Sequence, residues 1–380
     1  APRARYLRGL AQQRLTHYQP AIADLEAFVA GKPPAADAHD ARFAIALCQI
    51  AIKQNDQAAA TLKALVNEAP NYPRADEAYY ELGFALAEAK QDQAAAEAWR
   101  TLATKFPKSD LAADAWYHVG EYHELKKEWN PAREAYQHGR KQAKTPDLQE
   151  KLQFKLGWVQ YQAAHFPQAA AAFQAQIQSF ASGPLLADAT YLAGESLYRQ
   201  KQYGPALERL RQSIAQKNEK YLARALYRAG DCAARLKQWP ASEEHYQALV
   251  RQFPKFELVN EARYGLGWAQ QNQEKLSQAK QTYEQVTKDT DTETAAKARF
   301  MMGECAFREK KYEEAVEHYL TAALGYPYDE WQALGYLEAG RCLLELKDNA
   351  KAKDMFETLI KKYPNHPKAK DATKLLASIK

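Results

Sequence analysis

The sequence predicts an all-α solenoid of about ten helix–turn–helix repeats, closed by a C-terminal capping helix. Two observations carry this prediction: a period of 36 or 37 residues along the whole chain, and the restriction of most glycines and prolines to fixed positions in that period. Hydrophobic residues make up 46 % and charged residues 26 % of the 380 positions, which excludes a disordered or collagen-like chain. No segment approaches the roughly 18 to 20 apolar residues of a membrane span.

Each repeat contains a small residue at one fixed position, which we call the anchor. A second small residue follows twelve positions later and a large apolar residue four positions after that, as in Gly120, Ala132 and Tyr136. This spacing predicts two antiparallel helices, A and B, that cross closely at the small residues while the bulky residue fills the space beside them. The ten anchors are Gly9, Ala46, Gly83, Gly120, Gly157, Gly194, Gly230, Gly267, Gly303 and Gly340.

Proline positions support the same helix boundaries. One group lies in the expected first turn of helix B, where a missing N–H is tolerated, and another lies 24 residues after an anchor, where helix B must end. The first group is Pro20, Pro131, Pro167, Pro205 and Pro240; the second is Pro33, Pro70, Pro107, Pro254, Pro327 and Pro364.

This pattern resembles the tetratricopeptide repeat superfamily, most clearly in AWYHVGEYHELKKEWNPAREAYQ and YRAGDCAARLKQWPASEEHYQALVRQFP. The resemblance implies a single right-handed solenoid over residues 1–366 and a capping helix over 367–380. The repeats are longer than the common form. The additional residues follow the proline, as in KFPKSDLAADAW, where Ser109 or Asp110 is predicted to be a helix N-cap. This longer variant resembles repeats of bacterial outer-membrane assembly lipoproteins and of the periplasmic coordinator associated with the Tol–Pal system.

The chain opens on APRARYLRGLAQ, without Met or a signal region. Because other repeats would begin their first helix earlier, we expect residues before position 1 in the natural protein. The resemblance favours the bacterial periplasm or an outer-membrane-associated location, with the cytoplasm as the alternative.

Residues that could carry chemistry are sparse. The four cysteines, Cys48, Cys232, Cys305 and Cys342, share one position of the repeat. Because equivalent positions in successive repeats are about 10 Å apart, too far for a disulfide, we predict free, buried thiols. The nine histidines do not complete a ligand set, and no phosphate-binding loop or catalytic triad is present. We therefore predict no enzyme activity, no cofactor and no metal. A net charge of +5 is too small to indicate nucleic acid.

Two rows of residues on helix A are candidates for partner binding. The position three before the anchor is aromatic in nine repeats, and the family resemblance places it in the concave groove; the alternative is that these rings pack against neighbouring repeats. One helical turn later, a second row contains Phe84, Trp158 and Trp268, and tryptophan is common at binding hot spots. The predicted partner-binding residues are Tyr80, Phe84, Tyr117, Phe154, Trp158, Tyr191, Tyr264 and Trp268, with the apolar contact centred on the first five.

The sequence thus predicts a non-catalytic scaffold that binds a peptide segment or protein surface in its groove, within a bacterial cell-envelope assembly. Three alternatives stay open. The chain could bind envelope glycan on its tryptophans, could be the solenoid arm of a larger protein whose activity lies elsewhere, or could assemble with copies of itself.

Overall fold

Helices joined by short turns form almost the whole protein. The computed structural model describes residues 2–379, and within them it contains 21 α-helices and no strand. None of the helices in this range is both long enough and apolar enough to cross a bilayer. The helices are α1 Pro2–Arg14, α2 Tyr18–Ala30, α3 Ala35–Ala51, α4 Asn55–Glu68, α5 Ala75–Glu88, α6 Asp92–Lys105, α7 Ala112–Leu125, α8 Trp129–Gln142, α9 Pro146–Gln162, α10 Phe166–Ser179, α11 Leu186–Arg199, α12 Tyr203–Ala215, α13 Leu222–Arg235, α14 Trp239–Gln252, α15 Val259–Gln271, α16 Leu276–Asp289, α17 Glu293–Arg308, α18 Tyr312–Gly325, α19 Asp329–Glu345, α20 Asn349–Lys362 and α21 Pro367–Ser378.

The chain divides into two compact units, Ala1–Ala189 and Thr190–Lys380. Consecutive helices pack against each other from α1 to α10 in the first unit and from α12 to α21 in the second. Odd-numbered helices are the A helices, and A helices of successive repeats also contact one another, as α3 does with α5 and α15 with α17. Each unit is therefore an α-solenoid of stacked helix pairs. The last helix, α21, lies where the capping helix was predicted and packs on α19 and α20.

The close crossing predicted at the anchors is confirmed. At all nine anchor glycines, an added Cβ would collide first with the bulky residue sixteen positions later. The Cβ would lie 2.3 Å from Tyr136 Cε1 at Gly120 and 2.2 Å from Trp99 Nε1 at Gly83, far inside van der Waals contact. None of these glycines has a positive φ, so glycine is required for the close approach of helix B rather than for backbone conformation.

The proline predictions are also confirmed, whereas the N-cap prediction is wrong. Every proline of the first group lies in the first turn of a B helix, and every proline of the second group follows the end of one. The N-cap of α7 is Leu111, and no side chain caps it. Ser109 Oγ instead accepts the Leu111 N–H at 3.1 Å and donates to Asp76 at 2.7 Å, while Asp110 pairs with Lys144. These contacts hold the loop in a separate turn, so the helix begins two residues later than the local sequence indicates.

The turn from helix A to helix B has a left-handed residue in every repeat, and none of these residues is glycine. The geometry is a helix C-terminal motif: Lys127 N–H donates to Glu124 O at 2.9 Å and Glu128 N–H donates to His123 O at 2.8 Å, which places Lys127 at a φ of 59°. Seven of the ten residues are lysines. The complete set is Thr16, Lys53, Lys90, Lys127, Ala164, Lys201, Lys237, Glu274, Lys310 and Lys347.

Substitution of Lys90 by glycine is expected to raise the free energy of unfolding by about 0.5–1 kcal/mol, because a Cβ is unfavourable at its φ of 62°. Lys90→Ile is expected to lower it by about 1 kcal/mol or more, since a β-branched side chain tolerates this conformation poorly. Urea unfolding measures both. Lys63, an exposed residue inside α4, is the matched control, and Lys63→Gly should cost about 1 kcal/mol. An equal loss for Lys90→Gly and Lys63→Gly would contradict the left-handed turn.

The four cysteines are buried free thiols, as predicted. Burial raises the pKa of Cys48 to about 11, and burial is also the main cause that raises the pKa of Cys232, Cys305 and Cys342 to about 12. Because the thiolate is the reactive form, these side chains act as small apolar core residues at neutral pH.

Candidate functional site

The first aromatic row packs mainly inside the repeats. Ring centroids of Tyr117 and Tyr136 lie 5.9 Å apart, and those of Phe154 and Phe173 lie 5.6 Å apart. In both cases the partner is the bulky helix-B residue that also covers the anchor glycine. Tyr264 makes the same contact with Tyr283 at 5.7 Å. These three rings therefore pack against helix B of their own repeat, whereas the alternative interpretation placed them against the neighbouring repeat.

Two further members of this row are held by polar or stacking contacts. The Tyr80 hydroxyl donates to Asp114 of the next A helix. Tyr191, which we expected to face a partner, is only 8 % exposed and stacks on Tyr221 with a centroid distance of 4.6 Å. Burial raises the pKa of Tyr264 to about 12, so its hydroxyl stays protonated at physiological pH. The first row therefore offers little surface to a partner.

The second row is more accessible and differs between the units. In the first unit, Phe84 and Trp158 are half-buried. In the second unit, Trp268 is 38 % exposed and meets Trp239 edge-on, with ring centroids 5.2 Å apart. Glu195, at the same position of an earlier repeat, is buried, and Arg228 Nε donates to it at 2.7 Å. The accessible tryptophans are therefore the members of this row that best fit partner binding.

His118 is the centre of one cluster in the first unit. Its ring stacks on Trp99 at 4.7 Å and meets Phe84 edge-on at 5.0 Å. Its two nitrogens face the carboxylates of Asp114 at 3.6 Å and Glu121 at 3.2 Å. Burial by itself lowers the pKa of His118, but the hydrogen bonds and charges of the two carboxylates outweigh it and raise this pKa to about 9. The ring is therefore a half-buried cation at neutral pH and joins α5, α6 and α7.

Glu124 is the centre of a second cluster, one repeat further along. It accepts the Trp158 Nε1–H at 2.9 Å, the Tyr136 hydroxyl at 2.7 Å and Lys155 Nζ at 3.1 Å. These three partners come from two different helices, α8 and α9, so the carboxylate fixes the orientation of the Trp158 ring. Trp158 also stacks on Tyr161, with ring centroids 6.2 Å apart.

Two shallow cavities connect these clusters. The cavity beside Trp99 and His118 has a volume of about 190 Å³, and the cavity beside Trp129 and Trp158 has a volume of about 410 Å³. Glu121 and Leu125 line both. We call the continuous surface the Leu125 groove; it is lined by Ala87, Asp92, Ala95, Trp99, His118, Glu121, Tyr122, Glu124, Leu125, Lys127, Trp129, Lys155, Trp158 and Gln162. Leu125 is 72 % exposed in its middle.

The structure brings part of the predicted contact area together and adds residues that the sequence analysis missed. Trp158 lines the groove and Phe84 supports its His118 wall, whereas Tyr80, Tyr117 and Phe154, although half-buried like these two, do not line it. Leu125 and Trp129 were not predicted. A signal for Trp129 exists, because the first residue of helix B is aromatic in six repeats: Tyr18, Trp129, Phe166, Tyr203, Trp239 and Tyr312. Leu125 carries no comparable periodic signal.

The groove combines aromatic faces, one exposed leucine, the carboxylates of Glu121 and Glu124 paired with His118 and Lys155, and the charged side chains of Asp92 and Lys127. Such a surface binds apolar side chains and orients polar groups around them. Within residues 2–379, no group of three His, Cys, Asp or Glu side chains is placed to hold a metal ion.

Comparison with protein families finds two models, both described as tetratricopeptide repeat. One matches residues 154–218 and 264–330, and the other matches residues 40–72, 77–109, 224–255 and 335–366. Together the matches cover more than half of the chain. They follow the helix pairs of the structure in both units.

Solved structures show the same fold at low sequence identity. The C-terminal part of a TPR repeat-containing protein from Cytophaga hutchinsonii is 15 % identical, with a TM-score of 0.51 over 68 % of this chain and 98 % of that chain. The Naa15/Naa10 complex bound to HypK-THB contains a chain that is 12 % identical, with a TM-score of 0.53 over 98 % of this chain and 65 % of that one. No curated protein sequence matches the chain.

Proposed function

Because this chain belongs to the tetratricopeptide repeat superfamily, we propose that it is a protein-interaction scaffold that binds a segment of a partner protein in the Leu125 groove. The observation that carries the proposal is the exposure of Leu125 between Trp129 and Trp158. Large apolar side chains that stay exposed beside aromatic rings in a concavity are typical of binding sites rather than of bare surface.

The dimensions of the groove favour side chains of a peptide over a large rigid ligand. A cavity of about 410 Å³ accommodates one or two apolar side chains, and the smaller cavity of about 190 Å³ lies on the other side of Leu125. A segment that crosses Leu125 can therefore place one apolar side chain beside Trp158 and another beside Trp99.

The polar groups of the groove favour the backbone or uncharged side chains of such a segment. Glu124 is occupied by Trp158, Tyr136 and Lys155, and Glu121 lies within 4 Å of His118 and Lys155. Since the three carboxylates of the lining, Asp92, Glu121 and Glu124, are balanced by the three cations His118, Lys127 and Lys155, the groove presents little net charge. We therefore expect apolar contacts to dominate the affinity, with weak dependence on salt.

Selection of peptides from a random library on the immobilised protein tests the proposal. Enriched peptides should contain bulky apolar residues, and their affinity should fall about tenfold or more for Leu125→Glu and for Trp158→Ala, since hot-spot residues contribute at least about 1.4 kcal/mol. Leu324, which is 68 % exposed at the end of α18, supplies the matched control. Equal losses for Leu324→Glu and Leu125→Glu, with both variants folded, would contradict a site in the Leu125 groove.

The location in a bacterial cell-envelope assembly is a separate proposal, supported only by the resemblance of the longer repeats to envelope proteins. Fractionation of the native organism tests it. Recovery with the periplasm or outer membrane is the expected result, and recovery with the cytoplasm would contradict it.

A further inference from the structure

The A-to-B turns concentrate the positive charge of the protein. The residues between each A helix and the following B helix include ten lysines and four carboxylates, a net charge of +6 against +5 for the whole chain. All other residues together therefore carry about as many negative as positive charges. The ten lysines are Lys53, Lys90, Lys126, Lys127, Lys201, Lys237, Lys275, Lys310, Lys311 and Lys347.

Most of these lysines can bind an external anion, whereas the carboxylates of the same turns already have partners within the protein. All ten lysines are exposed, and in the described chain only Lys275 and Lys311 form an ion pair. Each of the four carboxylates instead lies within 4 Å of a histidine, arginine or lysine nitrogen from outside the turns. Glu128 pairs with His123, Glu274 with Arg308, Glu309 with Lys280, and Asp348 with Lys351. Eight ammonium groups thus face solvent without a counter-charge.

The turns of one unit lie on one edge of that unit. Each turn begins at the C-terminal end of an A helix, and successive A helices contact each other side by side, as α15, α17 and α19 do. Helices packed in this way place equivalent turns about 10 Å or more apart. The left-handed backbone at Lys201, Lys237, Lys310 and Lys347 fixes the direction of each turn.

We infer that the edge of a unit formed by its A-to-B turns is an interaction surface for an anionic lipid bilayer. Each lysine near an anionic surface adds to the binding free energy. A row of lysines therefore binds to a bilayer that a single lysine would not hold. In the second unit an apolar side chain accompanies the lysines: Leu236, directly before Lys237, is 36 % exposed. Leucine beside lysine suits the boundary between headgroups and acyl chains.

Cosedimentation with vesicles tests this inference independently of the Leu125 groove. The protein should bind vesicles of phosphatidylcholine with about 30 % phosphatidylglycerol, but not phosphatidylcholine alone. Binding should weaken strongly at about 0.5 M salt. Substitution of Lys201, Lys237, Lys310 and Lys347 by glutamine should reduce the affinity on the order of a hundredfold, whereas replacing the same four by arginine should preserve it.

The control variant removes the same charge elsewhere in the second unit, at four exposed lysines outside these turns: Lys217, Lys255, Lys361 and Lys374. Its affinity should change less than about threefold, because these side chains are not on the edge. Equal losses in the two glutamine variants would overturn the inference. Binding to duplex DNA that depends on the four turn lysines, without binding to vesicles, would overturn it in favour of a nucleic acid.

Discussion

Substitution of Gly120 by alanine is expected to lower the free energy of unfolding by about 2–3 kcal/mol, although alanine is the better helix former by about 1 kcal/mol. The physical reason is the crossing of α7 and α8, where the added methyl group would meet the fully buried Tyr136 ring. Urea unfolding measures the change. Gly204 supplies the matched control because its added Cβ meets nothing within 4 Å in α12, so Gly204→Ala should be neutral or stabilising.

A double substitution separates this clash from any other effect of alanine. The repeat whose anchor is Ala46 has Leu62, not an aromatic residue, sixteen positions later. We therefore expect Tyr136→Leu to offset part of the cost of Gly120→Ala, so that the double variant is more stable than the sum of the single changes predicts by about 1 kcal/mol. Strict additivity would mean that Gly120 and Tyr136 do not interact across the crossing.

Deprotonation of His118 is expected to lower the stability of the first unit as pH rises from about 6.5 to about 9. Its pKa is about 9 in the folded protein and 6.5 in the unfolded chain, so its stabilising contribution is complete below pH 6.5 and is lost as the pH passes through 9. We expect a loss of about 1–3 kcal/mol, because solvent reaches Glu121 and screens part of the interaction. Urea unfolding at several pH values measures it.

One substitution isolates the contribution of His118 to the pH dependence of stability. His118→Gln should be less stable at pH 6.5 and should lose most of the dependence between pH 6.5 and 9. His245, buried in the second unit, is the opposite case: burial lowers its pKa, so its contribution is lost as pH falls below 6.5. A His118→Gln variant with the same alkaline profile as the native protein would show that the Asp114 and Glu121 contacts do not stabilise the cation.

The fold was predictable because its determinants recur in every repeat. A close helix crossing leaves a clear mark in the sequence, since only glycine fits beside an aromatic residue such as Tyr136 or Phe173. Helix ends could also be predicted from the sequence where a proline marks them. The start of α7 was not, because tertiary contacts of Ser109 override the capping tendency of its local sequence.

The turns and the candidate site were harder to predict, for two different physical reasons. The left-handed residue of each A-to-B turn is fixed by hydrogen bonds to the end of helix A, and a lysine such as Lys127 gives no local indication of this conformation. The Leu125 groove depends on which side chains remain exposed after packing. Tyr191 and Trp268 belong to adjacent rows of the same helix face, yet one is buried and the other is accessible.

The central claim, that a partner segment binds in the Leu125 groove, is tested most directly by photo-crosslinking in cells of the native organism. A photoreactive phenylalanine analogue replaces Leu125 in one strain and Leu324, which is similarly exposed, in another. We predict a crosslink from position 125 to one defined segment of a partner protein with apolar side chains, and none to that segment from position 324. The same products from both positions, or none from position 125, would contradict the account.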